Sequence, residues 1–256
     1  MKLTQDNYFS KEANQHYMSV SQFKSFDRCQ ASALAEINGE FEREQTTALL
    51  VGSYVDAYFE GTLDNFKAEY PDIFKRDGTL KAEYIQAEAI IKRIERDKLF
   101  AEYMSGEKQV IMTGEICGVP VKIKVDSLHP DKIVDLKIMR DFENIYDAEK
   151  GRLPFFEAWG YDLQAAVYQE IVRQNTGKTL PFYLAVATKE KVTDIDIVHM
   201  NQKSIDFAFD HFKANVEMYD AIKKGIIPPE RCGKCAYCKE TKVLTEPTDS
   251  EDFYLM

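Results

Sequence analysis

The sequence lacks several features that mark common classes of protein. No apolar run reaches the length of about 18 residues needed to span a membrane, so we expect no transmembrane helix. The N-terminal stretch MKLTQDNYFSKEANQHY is polar and has no apolar centre of the signal-peptide type, which predicts a cytoplasmic protein. A glycine-rich phosphate loop of the Walker type is also absent, so the sequence predicts no use of ATP.

The chain also has fewer basic than acidic residues. The chain has 33 Lys and Arg residues against 43 Asp and Glu residues, which gives a net charge of −10. Proteins that coat nucleic acid bind it through a broadly basic surface, and this balance argues against that class. It leaves open an enzyme with an acidic metal site, because lysines near such a site can form a local positive groove.

Hydrophobic periodicity predicts an alternation of helical and extended blocks along the 256 residues. Helices are expected at 19–38, 47–60, 80–104, about 155–175 and 201–224. Strands are expected at 108–116, 119–127 and 131–138, and then in PFYLAVATKE and DIDIVHM. This order favours an α/β fold in which helices cover a mixed central sheet. We expect a single domain over 1–256, with a helical part at 1–106, a core at 107–224 and a cysteine-rich tail at 225–256.

One hairpin of the predicted sheet carries the most informative pattern of charges. Side chains alternate between the two faces of a strand, so Asp126 lies on the polar face of one strand, and Asp135 and Lys137 share a face of the next. Two acids and a lysine on adjacent strands can hold a divalent cation beside a phosphate, and the carbonyl of Leu136 could complete the metal shell. A solvated strand of alternating charges would give the same Asp-x-Lys spacing, so the pattern alone leaves both interpretations open.

In context, these motifs resemble those of the PD-(D/E)XK nuclease superfamily, and within it the RecB-like, RecE-like and phage lambda-type exonucleases. IKVDSL and KIVDLKI resemble the acid motif and the Asp-x-Lys motif of that superfamily. YDLQAAVYQ resembles its Gln-x-x-x-Tyr motif through Gln164 and Tyr168, which are four residues apart and share a helix face. The resemblance implies a restriction-endonuclease-like core and contact of these two side chains with DNA near the scissile phosphate.

The upstream stretch LLVGSYVDAYFEG resembles the Gly-x-x-x-His helix of the same superfamily. Asp56 stands where the family has a histidine that helps to ligate the cation, and a carboxylate is a good substitute ligand. The resemblance therefore implies that Asp56, Asp126, Asp135 and the carbonyl of Leu136 bind Mg²⁺ or Mn²⁺. It also implies that Asp126, Asp135 and Lys137 are the catalytic residues.

The cysteines suggest a second metal site. A cytoplasmic protein rarely keeps disulfides, and Cys232, Cys235 and Cys238 fall within seven residues, which points to metal binding. Together with the distant Cys29, they resemble the cysteines of AddB-type iron–sulfur exonucleases in the same superfamily. The resemblance implies a [4Fe–4S] cluster, or structural Zn²⁺, on the four thiolates. A reduced tail without metal is the alternative, and Cys117 is expected to be a small buried hydrophobe in a strand.

Taken together, these motifs predict a metal-dependent DNA exonuclease, and the resemblance implies that it digests double-stranded DNA from an end. The resemblance further implies a role in recombination or repair, a phage or prophage origin, a single-strand annealing protein as partner, and a ring-like homo-oligomer. Two alternatives stay open. One is a catalytically inactive nuclease-fold module that binds nucleic acid or a partner, which the acidic charge and Asp56 motivate. The other is a sequence-specific endonuclease, since one fold serves both uses.

Overall fold

Helices cover both faces of a β-sheet in the computed structural model, which describes residues 1–148, 150–247 and 249–250. The helical elements are α1 (Lys11–His16), α2 (Val20–Arg28), α3 (Gln30–Asn38), α4 (Thr47–Glu60), α5 (Leu63–Glu69), a 3₁₀ turn (Pro71–Ile73), α6 (Ala82–Glu95), α7 (Lys98–Tyr103), α8 (Phe155–Ala158), α9 (Tyr161–Thr176), α10 (Gln202–Lys223) and α11 (Ala236–Glu240). The strands are β1 (Glu107–Ile116), β2 (Val119–Leu128), β3 (Ile133–Met139), β4 (Ile145–Asp147), β5 (Gly151–Leu153), β6 (Phe182–Thr188) and β7 (Ile195–His199).

The sheet is mixed, which confirms the predicted α/β class. Five strands lie in the order β1-β2-β3-β6-β7, and a separate hairpin is formed by β4 and β5. The β3–β6 pair is parallel, while the other neighbouring pairs are antiparallel. A parallel pair needs a crossover connection, and α9 provides it on one face of the sheet. Within the described ranges, no helix combines the length and apolarity that a membrane crossing would require.

The central strands are buried on both faces, which explains their nearly continuous apolar sequence. On β6, Leu184 and Val186 belong to the core that includes side chains of α9 and α10. The alternate residues, Ala185 and Ala187, belong to a second core that includes side chains of α4 and α6. Since both faces are covered, a site for a large substrate has to open where neighbouring strands separate.

Three helices that periodicity predicts as continuous are broken by one or two non-helical residues: Cys29 in the first, Arg96 and Asp97 in the second, and Trp159 and Gly160 in the third. Cys29, with an extended φ of −168°, separates α2 from α3. Asp97 separates α6 from α7, and its carboxylate caps α7 by accepting from the amide of Phe100 at 3.0 Å. Gly160, with φ of 63°, separates α8 from α9. The prediction of single helices was wrong here because the apolar period continues across each break.

The connection between β1 and β2 is a two-residue turn formed by Cys117 and Gly118. Both residues have positive φ, at 50° and 73°, as a hairpin turn of type I′ requires. The strand ends at this turn agree with the prediction. Cys117 itself does not: it is exposed at the tip of the turn and is not a buried hydrophobe.

The strands β2 and β3 separate shortly after the turn that joins them. Their paired positions are Ser127 with Val134 and Leu128 with Ile133. Further back along the same edge of β2, Met18 takes the place of β3 and forms a parallel bridge with Val121. Between these two contacts, the segment 123–126 has no strand partner on that edge in the part of the chain that the structure describes. This separation creates the opening in which the candidate site lies.

Candidate active site

A cleft of about 670 Å³ opens where β2 and β3 separate. Its floor is formed by these strands, and its walls by the N-terminal segment and by helices α2, α3, α4 and α9. The predicted site residues outside the cysteine group all line this cleft: Asp56, Asp126, Asp135, Leu136, Lys137, Gln164 and Tyr168. Residues from four separate elements are thus brought to one place.

Asp126 joins the two separated strands. Its Oδ2 accepts a hydrogen bond from the backbone amide of Leu136 at 3.0 Å, a donor that faces the opening between β2 and β3. Its Oδ1 accepts from Nε2 of Gln109 on β1 at 3.3 Å. Both carboxylate oxygens are therefore held in position by neutral donors, and the charge of Asp126 stays available to a cation.

Asp135 and Lys137 share one face of β3, as the period of two requires. The Asp135 side chain is only 2% exposed; its Oδ2 forms an ion pair with the Lys137 ammonium, and its Oδ1 accepts from Nε2 of Gln164 at 2.7 Å. The Lys137 ammonium also donates to the carbonyl of Leu136 at 3.3 Å. That carbonyl oxygen consequently faces the same space as the two side chains.

Several carboxylates lie close together around one amine in the site, and their burial and mutual repulsion shift their pKa values. Burial raises the pKa of Asp135 to about 7, with Lys137 opposing the shift and Asp126 adding to it. Burial, followed by repulsion from Asp126, raises the pKa of Asp56 well above its ordinary range. Burial lowers the pKa of Lys137, but Asp135 and Asp126 outweigh it, so its pKa lies above the ordinary value. A cation bound among these acids would relieve their mutual repulsion.

Helix α4 contributes a further acid that the sequence analysis missed. Glu60 lies one helical turn after Asp56, and both residues line the cleft. Burial raises the pKa of Glu60, Lys124 lowers it, and Asp126 raises it; all three side chains line the cleft. The spacing of four residues from Asp56 was the available signal. Carboxylates and the Leu136 carbonyl form a set of hard oxygen donors, which fits Mg²⁺ or Mn²⁺.

Gln164 and Tyr168 lie on the cleft side of α9 and use their polar atoms to hold the site. Gln164 donates to Asp135, and the Tyr168 hydroxyl donates to the backbone carbonyl of Lys124 at 3.1 Å. This carbonyl belongs to the stretch of β2 without a strand partner among the described residues, so Tyr168 satisfies a group that the open sheet leaves exposed. The implied contact of Gln164 and Tyr168 with DNA stays a prediction.

Basic side chains line the cleft although the chain is acidic overall. They are Lys24, Arg28, Arg43, Lys122, Lys124 and Lys137. Lys24 reaches across the cleft wall and donates to the carbonyl of Trp159 at 2.9 Å. Burial, and then repulsion by Lys137, lower the pKa of Lys24 to about 7. Net charge gave no signal for this lining, because its members come from α2, the loop after α3, β2 and β3.

Replacing Gln164 with leucine should weaken metal binding by about 10- to 100-fold, the usual cost of losing a partner that orients a metal ligand. The Asp135 carboxylate would lose its donor on Oδ1 and turn more freely. The measurement is calorimetric titration with Mn²⁺. Gln174→Leu on the same helix is the matched control, because Gln174 bonds to Glu115 and Glu170 away from the cleft. Equal loss of affinity in both variants would contradict the assigned role.

The predicted cysteine residues also come together, away from the cleft floor. The sulfur atoms of Cys29, Cys232, Cys235 and Cys238 all lie within 4.8 Å of one another. The Sγ–Sγ distance is 3.5 Å from Cys29 to Cys238 and 4.0 Å from Cys232 to Cys238. These sulfurs are too far apart for disulfide bonds, which measure about 2.05 Å. Cys29 lies between α2 and α3, so the group ties that junction to the tail.

Backbone amides donate hydrogen bonds to sulfur atoms of the cysteine group, which favours the binding of a cation there. The amides of Lys234 and Cys235 donate to Sγ of Cys232, and they lower the pKa of its thiol to about 6. Burial raises the pKa of Cys235 to about 11, while its sulfur accepts from the amide of Cys238 at 3.4 Å. A thiolate on Cys232 is thus favoured at neutral pH, and the thiolate is the form of cysteine that binds metal.

Comparison with known proteins gives related matches over nearly the whole chain. A protein family described as "PDDEXK-like domain of unknown function (DUF3799)" matches residues 19–241. The crystal structure of a "Putative exonuclease" from Eubacterium rectale is 48% identical, has a TM-score of 0.95, and aligns over 99% of this chain and 98% of that chain. The crystal structure of SSO0001 aligns over 82% of this chain and 91% of that chain, but 12% identity and a TM-score of 0.28 carry no argument. Curated proteins give no match.

Proposed function

Because this chain belongs to the PDDEXK-like DUF3799 family, with the nuclease-like fold that the family description implies, we propose that it is a divalent-metal-dependent DNA exonuclease. The observation that carries the proposal is the meeting of Asp126, Asp135 and Lys137 in a cleft lined by further basic side chains. The 48% identical neighbour, described as a "Putative exonuclease", supports the choice of exonuclease within the nuclease class.

We assign the metal to the oxygen donors of the cleft. Asp126, Asp135 and the carbonyl of Leu136 would hold it from the sheet, and Asp56 would hold it from α4 in place of the family's histidine. A divalent cation bound there would polarise the scissile phosphate and lower the pKa of an attacking water. Gln109, Gln164 and the Leu136 amide keep the carboxylates oriented before substrate arrives.

Lys137 serves as a charged hydrogen-bond donor in this proposal. Burial lowers the pKa of its amine, but Asp135 and Asp126 raise it above the ordinary value. Its side chain is partly exposed to the cleft, so the ammonium can donate to a non-bridging phosphate oxygen or to the attacking water. Such a donor stabilises the charge that develops on the phosphate during hydrolysis.

Several finer features of the proposal come from the family likeness alone. We propose double-stranded DNA ends as the substrate, recombination or repair as the process, and a single nuclease domain over 1–256. A phage or prophage origin, an annealing protein as partner and a ring-like oligomer stay predictions of the same kind.

Digestion of two forms of DNA tests the proposed activity. With Mg²⁺, the protein should degrade linear duplex DNA and leave closed circular DNA of the same sequence intact; EDTA should stop the reaction. Cutting of the circles would replace the exonuclease proposal with an endonuclease. No digestion of either form, with Mg²⁺ or Mn²⁺, would favour the inactive binding module.

We also propose that the four cysteines hold one tetrahedral metal ion, with Zn²⁺ as the best fit. Four thiolates at about 2.3 Å from one Zn²⁺ ion lie about 3.8 Å from one another. The separations of 3.5 and 4.0 Å, and the limit of 4.8 Å for the group, agree with that edge length. A [4Fe–4S] cluster binds each thiolate through a different iron, which requires the sulfurs to lie further apart. Metal analysis that finds about one zinc per chain would support the single ion, and iron with sulfide would contradict it.

A further inference from the structure

The N-terminal segment, residues 1–17, borders the cleft and presents an aromatic ring there. Phe9 lines the cleft, yet its side chain is 69% exposed. The ring forms a T-shaped contact with Tyr8, with the centroids 4.9 Å apart and the planes at 86°. The ammonium of Lys124, on β2, lies over the Phe9 ring, 5.0 Å from its centroid. A largely exposed ring and a cation thus lie together, and Lys124 is two residues from Asp126 on β2.

Buried polar contacts fix this segment in place. Lys122 is only 1% exposed; its ammonium donates to the carbonyl of Tyr8 and, at 2.8 Å, to Oδ1 of Asn14. The same ammonium lies 4.5 Å from the Tyr8 centroid. A buried lysine is costly unless it is fully paired, so these contacts anchor the backbone next to Phe9 firmly. The ring is therefore held in position and need not be ordered when a ligand arrives.

A second anchor connects the segment to the metal ligands. The side chain of Gln5 donates to the backbone carbonyl of Gln109 at 2.7 Å. Gln109 has φ of 53°, and it and Asp126 opposite are passed over in the pairing of β1 with β2, while the register on either side is unchanged. The Gln109 side chain donates to Asp126. The position of Phe9 is consequently tied to that of the candidate metal site.

A single exposed phenylalanine is ordinary on a protein surface, and Phe207 on α10 is an example at 79% exposure. Phe9 differs because it combines a largely exposed ring, a neighbouring cation and a place in the candidate active cleft. Proteins that bind single-stranded nucleic acid use this combination: the base stacks on the ring and the cation meets the backbone phosphate. A base inside a duplex has both faces covered by its neighbours and cannot stack in this way.

We propose that Phe9 and Lys124 form a platform that binds an unpaired nucleotide of the substrate strand beside the metal site. The proposal rests on the proposed nuclease function and deepens it, because it names the state of the DNA that enters the cleft. A duplex would enter with its terminal nucleotide frayed, and the freed base would stack on Phe9 while Lys124 meets the adjacent phosphate.

Fluorescence of 2-aminopurine tests the platform. Single-stranded oligonucleotides carry the probe at the first, second or third position from either end, and Ca²⁺ replaces Mg²⁺ to suppress cleavage. We expect quenching by the wild-type protein for at least one probe position. Phe9→Ala should abolish the quenching and raise Kd about tenfold, the usual effect of losing one stacked base. Phe9→Trp should keep the quenching and the wild-type Kd, and Phe207→Ala should behave like the wild type.

Kinetics with Mg²⁺ separate this proposal from the nuclease proposal. Phe9→Ala should raise KM for single-stranded DNA about tenfold and leave kcat nearly unchanged, since the ring binds the base and not the reacting atoms. Absence of quenching by the wild type, or full quenching and unchanged Kd in Phe9→Ala, would overturn the platform. If the wild type binds and quenches but cuts no DNA, the nuclease proposal fails and the quenching comparison still decides the platform.

Discussion

Asp135→Asn should lower the rate of DNA hydrolysis by at least about 10³-fold, which is the scale of losing several kcal/mol of transition-state stabilisation by a bound cation. The substitution keeps the size of the side chain and removes its charge from the centre of the candidate site. The measurement is the initial rate of nucleotide release from linear duplex DNA at saturating Mg²⁺. Mn²⁺ titration should show a parallel loss of affinity.

The neighbours of Asp135 make asparagine a poor replacement. Gln164 and Lys137 approach its two carboxylate oxygens, and both of them are donors. An asparagine side chain has one acceptor oxygen, so its amide group would face one of these donors. Asparagine would therefore disturb the orientation of Gln164 or Lys137 in addition to weakening the metal site.

The matched control is Asp131→Asn in the turn between β2 and β3. Its side chain is 73% exposed and pairs with Lys132, at 3.2 Å, outside the cleft. This variant removes the same charge from the same hairpin and should keep wild-type activity. Circular dichroism checks that both variants are folded. Wild-type rates in Asp135→Asn, or equal losses in both, would refute the assignment of Asp135 as a metal ligand.

The strands of the site could be predicted from sequence because their pattern is local. β2 and β3 end within two residues of the predicted limits, and Asp135 and Lys137 share a face because the side-chain period is two. The separation of the strands was not predictable in the same way. It depends on Met18, more than a hundred residues away in sequence, which occupies the edge of β2 that β3 leaves.

Helix α4 was predicted with its observed limits because Thr46 caps its start and Gly61 ends it, and both signals are local. The same kind of pattern recovered Asp56 and missed Glu60, since the family motif ends at the first of the two acids. The N-terminal segment was missed altogether. Its contacts with Lys122 and Gln109 join residues that are about a hundred positions apart, and no periodicity in the segment signals them.

Loss of the metal from the cysteine group should cost about 4 kcal/mol or more of folding free energy, or about 10 °C in Tm for a chain of this length. Cys238→Ser tests this, because Cys238 is buried and its sulfur lies near those of both Cys29 and Cys232. The measurement is thermal unfolding followed by circular dichroism, with and without a strong chelator. Chelator should lower the Tm of the wild type and have little effect on the variant.

Cys117→Ser is the matched control, since Cys117 is an exposed thiol outside the group. Its Tm and its response to chelator should equal those of the wild type. Two results would contradict a structural ion. One is a Cys238→Ser protein with the Tm of the wild type. The other is a wild-type protein that keeps its Tm in chelator although metal analysis shows that the metal has been removed.

The cysteine group should also affect the cleft, because Cys29 ends the helix that forms part of its wall. Lys24 and Ser25 line the cleft from α2, one turn before Cys29. Without the ion, Cys29 is no longer held to the tail, and the last turn of α2 can fray. At a temperature where Cys238→Ser is still folded, we expect its DNA affinity to be about tenfold lower than that of the wild type. A tenfold loss corresponds to the binding free energy of about one cleft contact. Unchanged affinity under those conditions would show that the ion stabilises the tail alone and does not support the cleft wall.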